Sequence, residues 1–114
     1  MDIKSQISYD DFEKVDIRVG IIKKVEDFKE ARVPSYKLEI DLGELGIKRS
    51  SAHITNYSKD KLVGMSVICV VNFKPKQVAN FMSEVLVLGV LSNNGVILLT
   101  PEAPEKVEPG QRIA

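Results

Sequence analysis

Apolar residues recur at every second position in this chain, in runs too short for anything but strands. "VDIRVGIIKKVEDF" sets Val15, Ile17, Val19 and Ile21 against Asp16, Arg18 and Gly20. "SYKLEIDLG" sets Tyr36, Leu38, Ile40 and Leu42 against Lys37, Glu39 and Asp41. A period of two marks a half-buried strand. Gly20, followed by Ile21 and Ile22, predicts a bulge or sharp bend in the first and longest strand. "IKRSSAHI" reads as a third, more polar strand, and "MSVICVVNF" as a near-continuous apolar one of the interior kind. "SEVLVLGVL" and "GVILLT" form a last pair around the turn Ser92-Asn93-Asn94-Gly95. Strands at this density favour closure, because closure removes edges. The expected fold is all-β, a five-stranded Greek-key barrel of the OB type. A two-sheet sandwich is the alternative, and the long bent first strand favours the barrel.

The 114 residues suit one domain spanning 1–114. "SYDDFEKV" reads as a short N-terminal helix capped by Ser8, whose Tyr9, Phe12 and Val15 need a surface to pack on. The single cysteine, Cys69, excludes an intramolecular disulfide and reads as a small buried thiol. No apolar run approaches the roughly 20 residues of a membrane helix, and residues 1–12 hold no signal-like block. The expected setting is the cytoplasm, without membrane insertion. One His and one Cys on different elements give no metal cluster, and no glycine pattern marks a nucleotide loop. No catalytic residue, metal or cofactor is expected. His53 reads as a hydrogen-bonded residue at a strand end.

Net charge is zero and the pI is about 6.6, but the charges are unevenly spread. Residues 17–83 hold twelve basic and seven acidic residues, and the acidic excess lies at the two ends. Such a chain can present a basic face while staying neutral overall. On "IKRSSAHI", alternation sends Arg49, Ser51 and His53 to one face, where cationic and hydroxyl groups suit phosphate oxygens. The stretch "VVNFKPKQVANFMSEVLVLG" breaks two apolar runs with Lys74, Pro75 and Lys76, then Asn80, Phe81 and Met82. Pro75 ends the strand that runs to Phe73 and stiffens a turn flanked by two cations. Asn72 and Asn80 each offer a donor and an acceptor. In an OB barrel this connection rims the ligand face together with "DFKEARVPSYK", which brings Lys29, Arg32 and Lys37.

"DIRVG", "KRSSAHIT", "VVNFKP" and "SEVLVLG" together resemble the CsaA branch of the tRNA-binding-domain family, from about Phe12 to Pro101. That resemblance implies an OB fold that binds tRNA by shape, without catalysis. It also implies a homodimer built from residues 1–14 and 101–114. For the CsaA branch it implies a chaperone role toward unfolded polypeptides in protein export. Carried over by position, its RNA contacts are Arg49, Ser50, Ser51, Asn72, Lys74, Pro75, Ser83 and Glu84. Arg32 and Lys76 join them from the charge pattern. Synthetase-type members carry a more basic run where this chain has "KQVANFMS". Val78, Phe81 and Met82 there suggest the alternative, an apolar pocket for peptides in an export chaperone with no physiological RNA binding.

Overall fold

The structure, a computed structural model, describes residues 2–114. Helix α1 (Tyr9–Glu13) starts at Ser8, as its sequence predicts. Ser8 Oγ accepts from the Asp11 N–H, and the Asp11 carboxylate accepts from the Ser8 N–H. This reciprocal cap satisfies donors that a five-residue helix otherwise leaves open. The strands that follow are β1 (Ile17–Asp27), β2 (Tyr36–Asp41), β3 (Ile47–Ala52) and β4 (Ser66–Val70). Helix α2 (Lys59–Leu62) lies between β3 and β4, capped by Ser58, with Leu62 buried in the core. Two hairpins come later. They are β5 (Lys76–Val78) with β6 (Phe81–Ser83), and β8 (Gly89–Ser92) with β9 (Gly95–Leu98). Between them runs β7 (Leu86–Val87).

Five of these strands form one antiparallel sheet in the order β3-β2-β1-β4-β7. The sheet curls until β3 meets the chain just before β7. The Glu84 and Val85 N–H groups both donate to Arg49 O, at 2.8 and 3.3 Å. Side chains supply the remaining rungs: Arg49 N–H donates to Glu84 Oε1 at 3.0 Å and Ser51 N–H to Ser83 Oγ at 3.1 Å. The expected five-stranded barrel is therefore present, and two side chains complete its seam.

Strand β1 serves three partners. Residues 17–21 pair with β4 and residues 21–27 with β2. On the edge that β2 leaves free, the chain end runs back beside β1. Val19 N–H donates to Gln111 O, Gly110 N–H to Val19 O, and Ile113 N–H to Ile17 O. The Arg18 guanidinium bonds the Asp16 carboxylate at 2.6 Å and the Gly110 carbonyl at 3.0 Å, fastening this return. That contact holds the Asp16 carboxyl below its ordinary value.

The inward face of β1 differs from the expectation. Gly20 stands opposite Val67 and Arg18 opposite Cys69, and Val67 and Cys69 belong to the core. Residues directly opposite share a face, so Gly20 and Ile22 point into the barrel while Ile17, Val19 and Ile21 lie on the other face, where Val19 is nonetheless buried and Ile17 and Ile21 half-buried. Gly20 sits inside because two side chains cross over it. A Cβ there would lie 2.5 Å from Ile40 Cγ2 and 3.0 Å from Leu42 Cδ2. The register break lies between Ile22 and Lys24, two residues beyond the glycine, where Lys23 is the extra residue. On β2 the alternation holds: Tyr36, Leu38 and Ile40 are buried, as is Leu42 after it.

Strand β4 also ends earlier than expected, at Val70 rather than Phe73. The side chain of Asn72 takes over from the ladder. Its Oδ1 accepts from the Asp16 N–H at 3.0 Å, and its Nδ2 donates to the Lys14 carbonyl at 2.7 Å. This pair of bonds fixes the exit of α1 and leaves Phe73 exposed. Cys69 is fully buried, and burial pushes its thiol up to about 12.

Candidate nucleic-acid interface

The basic stretch after β4 forms the β5–β6 hairpin rather than an open loop. Lys76 pairs with Ser83, Gln77 with Met82, and Val78 with Phe81. The turn is Ala79-Asn80, and Ala79 takes a φ of 52°, a conformation that L residues with a Cβ adopt reluctantly. Gln77 Nε2 donates to the Ala79 carbonyl and supports it. Ser83 touches Ser51 across the seam, so the hairpin stands beside β3 with Lys76 one strand further out.

Phe81 is the anchor of this arrangement. It is only 5% exposed. Its ring meets Phe28, which follows β1, at 5.5 Å between centroids and 60° between planes. The Arg49 guanidinium carbon lies 4.4 Å from the Phe81 centroid, and Lys37 Nζ lies 5.0 Å from Phe28 and 5.7 Å from Phe81. Contacts of this kind hold cations in place over aromatic faces. The two expected rims thus meet through an aromatic pair that carries two cations. Beside it lies a recess of about 150 Å³, bounded by Glu26, Lys37, Glu39, Arg49, Asn80 and Phe81.

The sequence-derived contacts divide once placed. Lys74, Pro75, Lys76, Arg49 and Arg32 are all exposed. Among the described residues, Lys74, Lys76, Arg49 and Arg32 have no carboxylate within 4.0 Å. Some other cations are paired, among them Lys59 with Asp27 at 2.8 Å, Lys24 with Glu26 and Glu39, and Lys37 with Glu30 at 4.0 Å, whereas among the described residues Lys23, Lys29, Lys48 and Lys61 are not. The Asp27 partner raises the Lys59 ammonium above its ordinary value. Ser51 is half-buried, with its N–H in the seam. Ser50 points into the barrel and is 1% exposed, which removes its hydroxyl from any external phosphate. Asn72, Ser83 and Glu84 use side-chain atoms within the fold, the first holding α1 and the other two closing the seam.

The apolar pocket suggested by Val78, Phe81 and Met82 is not open in this arrangement. Phe81 is buried under Arg49, Lys37 and Phe28, Val78 is half-buried, and only Met82 stands out. His53 Nδ1 meets Ser35 Oγ at 2.6 Å, tying the end of β3 to the β1–β2 loop, the structural role expected of it. Sequence reasoning missed Phe28 as the partner of Phe81. It also missed Glu26 and Glu39 at the recess, although Glu39 stands opposite Arg49 on neighbouring strands.

A five-stranded barrel closed at its seam by side chains, with Arg49 and Lys76 on the strands beside that seam, has the form of a small OB-type module. A family model described as "Putative tRNA binding domain" matches residues 17–112, and the chain belongs to that family, in its CsaA branch. It is 60% identical to the CsaA chaperone protein of Picrophilus torridus. The crystal structure of that protein superposes with a TM-score of 0.91 over 96% of this chain and 100% of its own. The chaperone CsaA of Bacillus anthracis is 48% identical, with a TM-score of 0.87 over 96% of this chain and 100% of its own. The methionine–tRNA ligase of Archaeoglobus fulgidus is 34% identical over 113 residues. That match covers 99% of this chain but only 17% of the ligase. The chain spans about a sixth of the length of the curated relatives it matches.

Proposed function

We propose that this chain is a non-catalytic, cytoplasmic tRNA-binding module that grips the phosphate backbone of a folded tRNA. The carrying observation is that Lys74, Lys76, Arg49 and Arg32, the cations expected at the ligand face, have no carboxylate within 4.0 Å among the described residues. Phosphate contacts position a protein on RNA and hold little sequence information, so recognition is by shape. Affinity for several unrelated tRNAs, measured by filter binding, should therefore agree within a few-fold and weaken steeply with salt. Tight binding to one tRNA alone, or binding indifferent to salt, would count against the reading.

The whole chain 1–114 acts as one domain, and its ends form the contact of a homodimer. Supporting this, α1 and the returning C-terminus flank an open groove of about 310 Å³ lined by Phe12, Val15, Ile17, Arg112 and Ile113. Tyr9 is exposed beside it. A twofold contact would cover these apolar residues and set two cationic rims on one particle. Sedimentation equilibrium reads the mass directly, and a monomer at micromolar concentration would overturn the dimer.

A chaperone activity in protein export is the second reading. It is supported by likeness to the two CsaA chaperones and by the exposure of Phe73 and Met82 on either side of the cationic turn. Suppression of aggregation by the native chain should weaken when Phe73 and Met82 are both changed to Ser. Unchanged suppression would discard these residues as the client surface.

A further inference from the structure

Arg49 is held differently from the other rim cations. Its backbone N–H and C=O are both engaged in the barrel seam. Its guanidinium rests on Phe81, which is itself fixed by Phe28, and the residue remains exposed. An arginine stacked on a ring has one face of its plane covered and the other available. That free face is a stacking surface for a nucleobase.

The recess beside it is small and electrically balanced. At about 150 Å³ it lies well below the roughly 300–1,000 Å³ of pockets that enclose a drug-sized molecule. It has room for one ring system, not for a stretch of chain. In its lining Lys37 and Arg49 supply two positive charges and Glu26 and Glu39 two negative ones, and just outside it Lys24, at 3.6 and 3.9 Å from the two carboxylates, and Glu30, at 4.0 Å from Lys37, add one of each sign. A phosphate placed here would be attracted by one pair and repelled by the other. A neutral base suits both, provided it offers a donor to the carboxylates. Carboxylates accept from exocyclic amino groups of bases, and the Asn80 amide can both give and accept at a neighbouring edge.

We propose that this recess seats one unpaired, amino-bearing nucleobase from a single-stranded stretch of RNA. The base stacks on the Arg49–Phe81 platform, its amino group faces Glu39 and Glu26, and Asn80 reads an adjacent edge. The inference rests on the tRNA-binding reading and adds to it a second mode of contact, in which Lys74, Lys76, Arg32 and the edge of the Arg49 guanidinium hold phosphates while the free face of that guanidinium holds a base.

Three RNAs separate the two modes in fluorescence anisotropy with the full chain. They are a blunt hairpin, the same hairpin with a short cytidine tail, and the same hairpin with a uridine tail. The cytidine tail should raise affinity over the blunt hairpin by roughly 5- to 150-fold, the range of one stacked base. The uridine tail should gain less. The ratio of tailed to blunt affinity is the readout, so a general loss of charge cancels. Arg49→Lys keeps the charge and removes the plane, and should bring the ratio close to one. Glu39→Gln should narrow the gap between cytidine and uridine tails. A ratio of one in the native chain, or a ratio unchanged by Arg49→Lys, overturns this inference alone if blunt hairpin and folded tRNA still bind. Failure of all three RNAs and of folded tRNA overturns the tRNA-binding reading with it.

Discussion

Changing Lys74 and Lys76 together to Ala perturbs the proposed RNA contact most directly. Both are exposed, they flank Pro75, and neither has a carboxylate within 4.0 Å among the described residues. With Arg49 and Arg32 they make the four cations of the proposed contact, none of which meets a carboxylate among the described residues. Each neutralised phosphate adds about −0.9 to the slope of log affinity against log salt on a duplex. Four contacts predict a slope of about −3.6 and a loss of roughly 150-fold between about 50 and 200 mM salt. The double variant keeps two contacts, so the slope should relax to about −1.8 and the loss to roughly 12-fold. Anisotropy of a labelled, folded tRNA across a salt series reads both numbers. Lys24 and Lys59 serve as the control, since both already face carboxylates. Changing that pair to Ala should leave the slope near its native value. A native slope near zero, or equal effects from the two double variants, would refute the reasoning.

Gly20→Ala should destabilise the barrel by about 1–3 kcal/mol, because its Cβ would press on the buried Ile40 and Leu42 side chains. Thermal denaturation should show Tm falling by roughly 4–8 °C per kcal/mol, and an unchanged Tm would mean the neighbours yield freely. The Asp16 carboxyl is held below its ordinary 3.8, chiefly by its hydrogen bond to Arg18. The stability it contributes is thus complete above that value and lost as pH falls through the lower folded one. Urea melts should show Asp16→Asn to be weaker than the native chain at neutral pH, with the difference shrinking in acid. Cys69, buried and with its thiol raised to about 12, should react with a thiol reagent only when the barrel opens, so labelling that keeps its speed under strongly stabilising conditions would contradict its burial.

What could be read from the residues followed how local the physics was. The cap at Ser8, the alternation of β2 and the turn before Gly95 depend on neighbours in the chain, and all three stand as expected. The face of β1 was read wrongly for an identifiable reason. Its alternation was clear, but both faces of that strand carry apolar residues. The inner position belongs to Gly20, whose lack of a side chain hides it from any hydrophobic pattern. The end of β4 was misplaced because Asn72 bonds a backbone more than fifty residues earlier, at Asp16 and Lys14. The same distance hid the roles of Ser83 and Glu84. Both are polar residues beside an apolar run and look like ligand contacts, yet each replaces a missing rung of the ladder. Lys74, Lys76 and Arg49 were legible as cations, whereas the lack of nearby carboxylates could only be seen once the chain was folded.

Position 49 separates two duties that most binding-site residues combine. The main chain there joins the barrel, and main-chain atoms are the same whatever residue is encoded. Only the side chain enters the proposed base recess, so a change at this position would alter that contact while the main-chain seam stays shut. Position 84 has no such freedom, because there the carboxylate itself is the fastener. On the proposed reading, preference would thus be tunable at a β3 position that leaves the seam alone, whereas losing the acid across from it would open the seam.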